Sequence, residues 1–299
     1  MREITDGLQF PEGPVVLPDG SVLVVEIRRG TITRIDPVDG ARDIVATPGG
    51  GPNGAAVGPD GALYVCNNGG FEWHDVRGLT LPGETPEGHP TGRIERIDLA
   101  SGAVDVLYDS CDGIPLKGPN DLMFDSAGGF WFTDHGKTYA RHRDRGGLYY
   151  AKADGSEIKE MAFPLDGPNG VGLSPAGDRV YVAETHQGSV LYWDLAGPGT
   201  FAPGTPSRGA FLARPAGRKL FDSLAMDAEG NVSVATISTG GISTFTPDGE
   251  ELEFVPVDDP VCTNIAFGGP DMQTAYITLS GTGRLVSCEW PRPGLVLPY

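Results

Sequence analysis

The chain repeats one short pattern six times, and that repetition limits its fold more than any other feature. Each copy opens on a polar residue, continues as an apolar run and ends in a turn. The copies are FPEGPVVLPDG, GPNGAAVGPDG, GPNDLMFDSAG, GPNGVGLSPAG, FDSLAMDAEG and CTNIAFGGPDM. Their opening residues are Glu12, Asn53, Asn120, Asn169, Asp222 and Asn264, spaced 41, 67, 49, 53 and 42 residues apart. In five copies a glycine falls eight positions later: Gly20, Gly61, Gly128, Gly177 and Gly230. The sixth carries Asp271 seven positions later, matching Asp19 and Asp60. A period of about 40–50 residues, with several short strands in each unit, predicts the blades of an all-β, six-bladed β-propeller. The repeats run without interruption, so the expected organisation is a single domain over residues 1–299. GRLVSCEW near the C-terminus reads as part of an incomplete last blade, which a strand in residues 1–10 is expected to close.

Radial repetition places equivalent residues on a ring around the axis. The six openers are therefore predicted to converge on one mouth of the central channel. All offer oxygen, none is apolar and two are acidic. Such a set suits a hard cation such as Ca²⁺ or Mg²⁺ better than zinc. A single Asn or Asp before a turn often serves only nearby backbone; six in register point to one divalent ion in the channel. The pattern itself does not choose among the six.

A second polar set lies fourteen residues after the first openers, at Glu26, Asn67 and Asp134, with Glu184 at fifteen. These form a second tier, for which mutual satisfaction is a stronger expectation than catalysis at Glu26 and Glu184. His135, next to Asp134, is a candidate for the pocket wall. The longest insertion, Asn67 to Arg93, has few strand signals and carries Phe71, Trp73 and His74. It reads either as a cover over the mouth or as a loop packed on itself. A shorter insertion crowds Arg141, His142, Arg143 and Arg145, which at the rim would attract an anionic substrate and elsewhere would be a solvated loop.

Charge and cysteine usage exclude several classes of function. The formal net charge of −18 argues against nucleic acid as a partner. No apolar run approaches membrane-spanning length, and MREITDGLQF lacks the core of a signal peptide, so a cytoplasmic protein is expected. Cys66, Cys111, Cys262 and Cys288 show no CxxC spacing and read as free thiols. GVGLSPAG, from Gly170 to Gly177, lacks the GxSxG elbow of a serine hydrolase.

Together, PEGP, GPND, GPNG followed by SP, and FD-x4-D-x2-G resemble the senescence marker protein/gluconolactonase/luciferin-regenerating enzyme-like family, over essentially the whole chain. The resemblance implies a six-bladed propeller with one divalent metal in the channel, Ca²⁺ first and Mg²⁺, Mn²⁺ or Zn²⁺ as alternatives. It implies Glu12, Asn120, Asn169 and Asp222 as ligands, and leaves Asn53 and Asn264 as substrate contacts. Members acting on sugar lactones often carry an arginine two residues before the asparagine matching Asn120; this chain has Gly118 there.

The expected function is metal-dependent opening of a small lactone. The ion would polarise the carbonyl and Asp222 would activate water, or attack the carbonyl itself. Asn53, Asn67 and Asn264 would orient the substrate, and His135 would carry a proton. Two other readings stand beside this one. One is phosphotriester hydrolysis or other metal-assisted chemistry on the same scaffold; the other is a binding platform with a structural ion.

Overall fold

The computed structural model describes residues 1–89, 91–217 and 219–299. Six antiparallel sheets, most of four strands, radiate from a common axis. We number the blades I to VI by their innermost strands: Pro11–Val16, Pro52–Val57, Pro119–Phe124, Pro168–Leu173, Leu220–Met226 and Cys262–Gly268. Each innermost strand packs on the next, and that of blade VI packs on that of blade I, so the ring is continuous. Closure comes from the chain's own beginning. Arg2–Thr5 pairs antiparallel with Arg284–Glu289 and becomes the outer strand of blade VI. An edge that would otherwise expose unpaired amides is thereby covered.

The sequence repeat has a local physical cause at each end. The glycines eight residues after the openers all take positive φ, between 69° and 86°. They turn the innermost strand back into the second strand, a conformation that costs an L-residue about 1–2 kcal/mol. In blade VI, Met272 holds this position and also adopts positive φ, at 58°. At the other end, the pairing of the first two strands breaks register at the opener in all six blades. The breaks lie between Glu12 and Val15, Pro52 and Ala55, Pro119 and Leu122, Pro168 and Val171, Phe221 and Leu224, and Cys262 and Asn264. A bulge releases one residue from the ladder and re-aims its side chain.

The core lies between blades, where apolar faces of adjacent sheets meet. Trp131, Leu148, Val180 and Trp193, for example, pack between blades III and IV. All four cysteines are free, and Cys66, Cys111 and Cys262 are buried. Among the described residues no helix is long and apolar enough to cross a membrane.

The 67–93 insertion, expected to hold few strands, contains a hairpin of Trp73–Val76 and Leu79–Pro82. It arches across the mouth. Trp73 packs on Phe10 of blade I at 5.1 Å, Arg28 pairs with Asp75 at 2.6 Å, and the Thr80 amide donates to the Gly281 carbonyl of blade VI.

Candidate metal centre and its rim

The bulges bring the predicted ring together. Glu12, Asn53, Asn120, Asn169, Asp222 and Asn264 are all buried, none more than 8% exposed. Asn264 donates from Nδ2 to Glu12 Oε2 at 2.7 Å, joining blade VI to blade I. Ser223 Oγ lies 3.4 Å from Asn169 Oδ1, joining blade V to blade IV. Asn169 in turn donates to Thr185 Oγ1 at 3.2 Å.

The ring holds one acid that sequence reasoning missed. Asp121 follows the opener of blade III, is 7% exposed and stands close enough to Glu12 and Asp222 for their charges to interact. The available signal was its position: the other two GPN copies place glycine there, Gly54 and Gly170. Burial raises the pKa of Glu12. Burial, followed by the charge of Glu12, pushes Asp121 up to about 8. The same two causes hold Asp222 well above the usual carboxylate range, and Asp121 adds to them. Among the described residues none of the three is in a salt bridge.

A divalent cation fits this donor set. Among the described residues the three buried carboxylates repel one another without a counter-charge, and buried Asn120 Oδ1 has no hydrogen-bond partner. An unsatisfied buried oxygen costs about 1–3 kcal/mol, which a cation would offset. Among the described residues no cluster of three His, Cys, Asp or Glu side chains forms a ready metal group. Any ion here would depend on amide oxygens as well as carboxylates, as calcium sites do.

The second tier has a different use. Each of its members clasps the backbone that leads into its own blade's opener. Glu26 accepts from the Gln9 amide at 2.7 Å, Asn67 from Gly51 at 2.9 Å and Glu184 from Asp166 at 2.7 Å. Asp134 accepts from both Lys117 and Gly118, each at 2.7 Å. This corrects the expectation for Asn67 as a substrate contact. Its Oδ1 also accepts from Gly69, its Nδ2 donates to the Gly49 carbonyl and Glu95, and it is 0% exposed. No hydrogen-bonding capacity is left for a ligand.

Above the ring lies a rim with its own pattern. The three GPN glycines, two residues before Asn53, Asn120 and Asn169, are each overlaid by polar groups from the loop after the second strand. A Cβ on Gly51 would overlap Asn68 Oδ1 and the Gly70 amide. On Gly118 it would meet the Gly136 carbonyl at 2.8 Å and Lys137 Cδ at 3.4 Å. On Gly167 it would meet His186 at 2.6 Å and His135 Nε2 at 3.0 Å. His135 therefore does lie on the rim, its ring 5.2 Å from that of His186. Burial and the neighbouring His186 press its pKa down to about 3. It stays neutral near pH 7 and is poorly matched to carrying protons.

Cationic groups lie in two places on this side. Arg143 and Arg145 are spent on Asp166, at 2.7 and 3.2 Å. The buried cation among the described residues is Lys137, 3% exposed, with its stem across Gly118. Its ammonium donates to the Gly70 carbonyl at 2.7 Å and sits 4.4 Å from the Phe71 ring centre. Burial lowers its pKa to about 8.

Below the ring the channel widens into a cavity of about 970 Å³ with an apolar wall that includes Leu17, Leu122, Phe124, Leu224 and Met226. The C-terminal residues close its far end. The Leu295 amide donates to the Met226 carbonyl at 2.9 Å, and the Tyr299 ring packs edge-on to Phe124.

Comparison with known proteins gives a consistent family pattern. Residues 10–281 match the SMP-30/Gluconolactonase/LRE-like region. The gluconolactonase of Zymomonas mobilis is 27% identical, over 93% of this chain and 78% of its own length. The diisopropyl-fluorophosphatase of Loligo vulgaris is 26% identical, over 98% of this chain and 92% of its own. Among solved structures, the calcium-binding protein regucalcin of Agrobacterium tumefaciens aligns with a TM-score of 0.73 at 18% identity. That alignment covers 99% of this chain and 97% of the other, and shows a shared fold.

Proposed function

The chain belongs to the SMP-30/gluconolactonase/LRE-like family, and from that premise we propose that it is a divalent-metal-dependent lactonase working at the channel ring. The observation that carries this reading is the ring itself: buried carboxylates with no ion-pair partner, and a buried amide oxygen on the same ring with no hydrogen-bond partner, among the described residues. Glu12, Asn120, Asn169 and Asp222 would hold the ion, with Asp121 beside them. Calcium is the first expectation from an all-oxygen donor set. When bound, the ion supplies Lewis-acid polarisation of the lactone carbonyl and stabilises the developing oxyanion.

The remaining roles fall to the chain's own side chains. Asn53, between the openers of blades I and III, and Asn264, fixed by Glu12, would orient the ring-opening substrate. Asp222 would take a proton from the attacking water onto a carboxylate oxygen. It opens the bulge of blade V and is buried in the ring, which would put its carboxylate beside the attacking water. The hairpin over the mouth would limit water around the reacting ester.

Zymomonas gluconolactonase supports the lactone reading through its similarity over most of this chain. Squid diisopropyl-fluorophosphatase, similar over nearly all of it, keeps phosphotriesters as the second class of substrate. The test is a pH-indicator hydrolysis assay on metal-stripped protein. It would use a panel of lactones and phosphotriesters, each with and without Ca²⁺, Mg²⁺, Mn²⁺ or Zn²⁺. Acid release from lactones that returns with metal supports the proposal. Hydrolysis of phosphotriesters alone moves the second class ahead. Metal-induced stabilisation with no hydrolysis would leave a structural ion.

A further inference from the structure

We propose that the rim above blades II and III is an oxyanion-binding subsite, so that the preferred lactone carries a carboxylate substituent. This deepens the lactonase reading and rests on it for the word lactone, though not for the subsite.

Several buried polar groups on this rim lack partners among the described residues. Asn68 is 2% exposed. Its Oδ1 accepts from the Gly70 amide at 2.7 Å, while its Nδ2 has no partner among the described residues. His89 Nε2 is likewise buried without a partner. Lys137 carries three N–H donors but makes one hydrogen bond, to the Gly70 carbonyl, and takes part in no salt bridge among the described residues. The three meet around Gly70: Asn68 and Lys137 bond its backbone from either side, and a Cβ there would lie 3.8 Å from His89 Cε1.

Unused donors and a buried positive charge, gathered in one place, lack an acceptor-rich anion. Protein carboxylates do not supply it. Asp134 is committed to three backbone amides, of Lys117, Gly118 and Gly136. Asp144 accepts from the Lys137 amide rather than from its ammonium. The placement is that of a substrate subsite. Asn68 lies over Gly51 and Lys137 over Gly118, two residues before the neighbouring openers Asn53 and Asn120. A lactone held at the ring would have this rim next to it, with its substituent toward blades II and III. Where blades II, III and IV have glycine two residues before the opener, blades I, V and VI have Phe10, Leu220 and Cys262, so the space that admits these overlying side chains is particular to the GPN blades.

Two measurements test this. The first compares kcat/KM for a carboxylate-bearing γ-lactone and for its neutral methyl ester, in the wild type, Lys137→Gln and Asn68→Asp. Asn68→Asp keeps the acceptor for the Gly70 amide and turns the unused donor into a negative oxygen, so the local fold is retained. Each variant should lower the ratio of acid to ester by about tenfold or more, mainly through KM. An unchanged ratio in both variants overturns the proposal. The second measurement is calorimetric binding of tetrahydrofuran-2-carboxylate, which has no ester to open, against tetrahydrofurfuryl alcohol. Preference for the carboxylate, weakened in both variants, supports the subsite even if no lactone is ever hydrolysed. Equal binding of the two, in a protein that does open lactones, overturns the subsite and leaves the lactonase standing.

Discussion

Asp222 and Asp121 illustrate how neighbouring acids can differ in role. Both are buried and both have raised pKa values, but Asp222 opens its blade's bulge while Asp121 stands one residue past its own. If Asp222 is both ligand and base, Asp222→Asn removes most turnover, by about a hundredfold or more. Near-wild-type kcat in the metal-saturated variant would remove it from the mechanism. Lys137 gives a prediction in pH. Burial lowers its pKa from 10.5 to about 8, with Asp134 and Asp144 pulling the other way; burial, and then the charge of Lys137, also lowers the pKa of His89 beside it. Between about pH 8 and 10.5 the unfolded chain would hold this proton and the native chain would not. The lysine's contribution to stability therefore rises with pH across that window. Anion binding runs the opposite way, because the charge is being lost. Affinity for the carboxylate probe should fall as pH passes 8, where an ordinary lysine would hold it to about 10. Calorimetry from pH 7 to 9.5 reads this directly, and a flat profile would exclude Lys137 as the charge.

At the scale of the element, what was legible in the sequence was whatever repeats. The turn glycines and the openers recur because the same turn and the same bulge recur, and both depend on local backbone geometry. The second tier was legible in position but not in use. Asn67 has the chemistry of a substrate contact, and only the approach of the Gly51 and Gly49 backbone shows that its bonds are taken. Asn67→Ala should therefore cost about 2–4 kcal/mol in urea unfolding, from several buried partners left unpaired. The change in KM should be smaller than for Asn53→Ala. The reverse order would return Asn67 to the substrate. Lys137 and Asn68 could not be read from any repeat. They lie outside the recurring strands, and their importance comes from the side chains missing at Gly118 and Gly51. The insertion could be read as a cover or as a self-packed loop, and the choice stayed open because its hairpin depends on contacts with blades I and VI that are remote in sequence.

Across the whole molecule, the ring of blades serves to hold like charges together. Closure by Arg2–Thr5 and packing between blades oppose the repulsion among Glu12, Asp121 and Asp222. The family resemblance narrowed six openers to four ligands, a choice the pattern alone could not make, and the fit of the ring to a cation rests on those strained carboxylates. If the ion is resident, its removal should destabilise the entire propeller, because all six innermost strands meet at the site. At a hundredfold excess over Kd, a bound ion adds about 2.7 kcal/mol. For a chain of this size that corresponds to a loss of roughly 5 °C on chelation, restored by added Ca²⁺. A double variant, Asp121→Asn with Asp222→Asn, separates ion binding from repulsion. Without metal it should melt above the stripped wild type, since two of the three charges are gone, and added Ca²⁺ should shift it little. A stripped wild type that melts no lower than the metal-loaded protein, together with a double variant that melts lower still, would mean that these carboxylates stabilise the fold through contacts of their own and that no ion is needed to hold the ring.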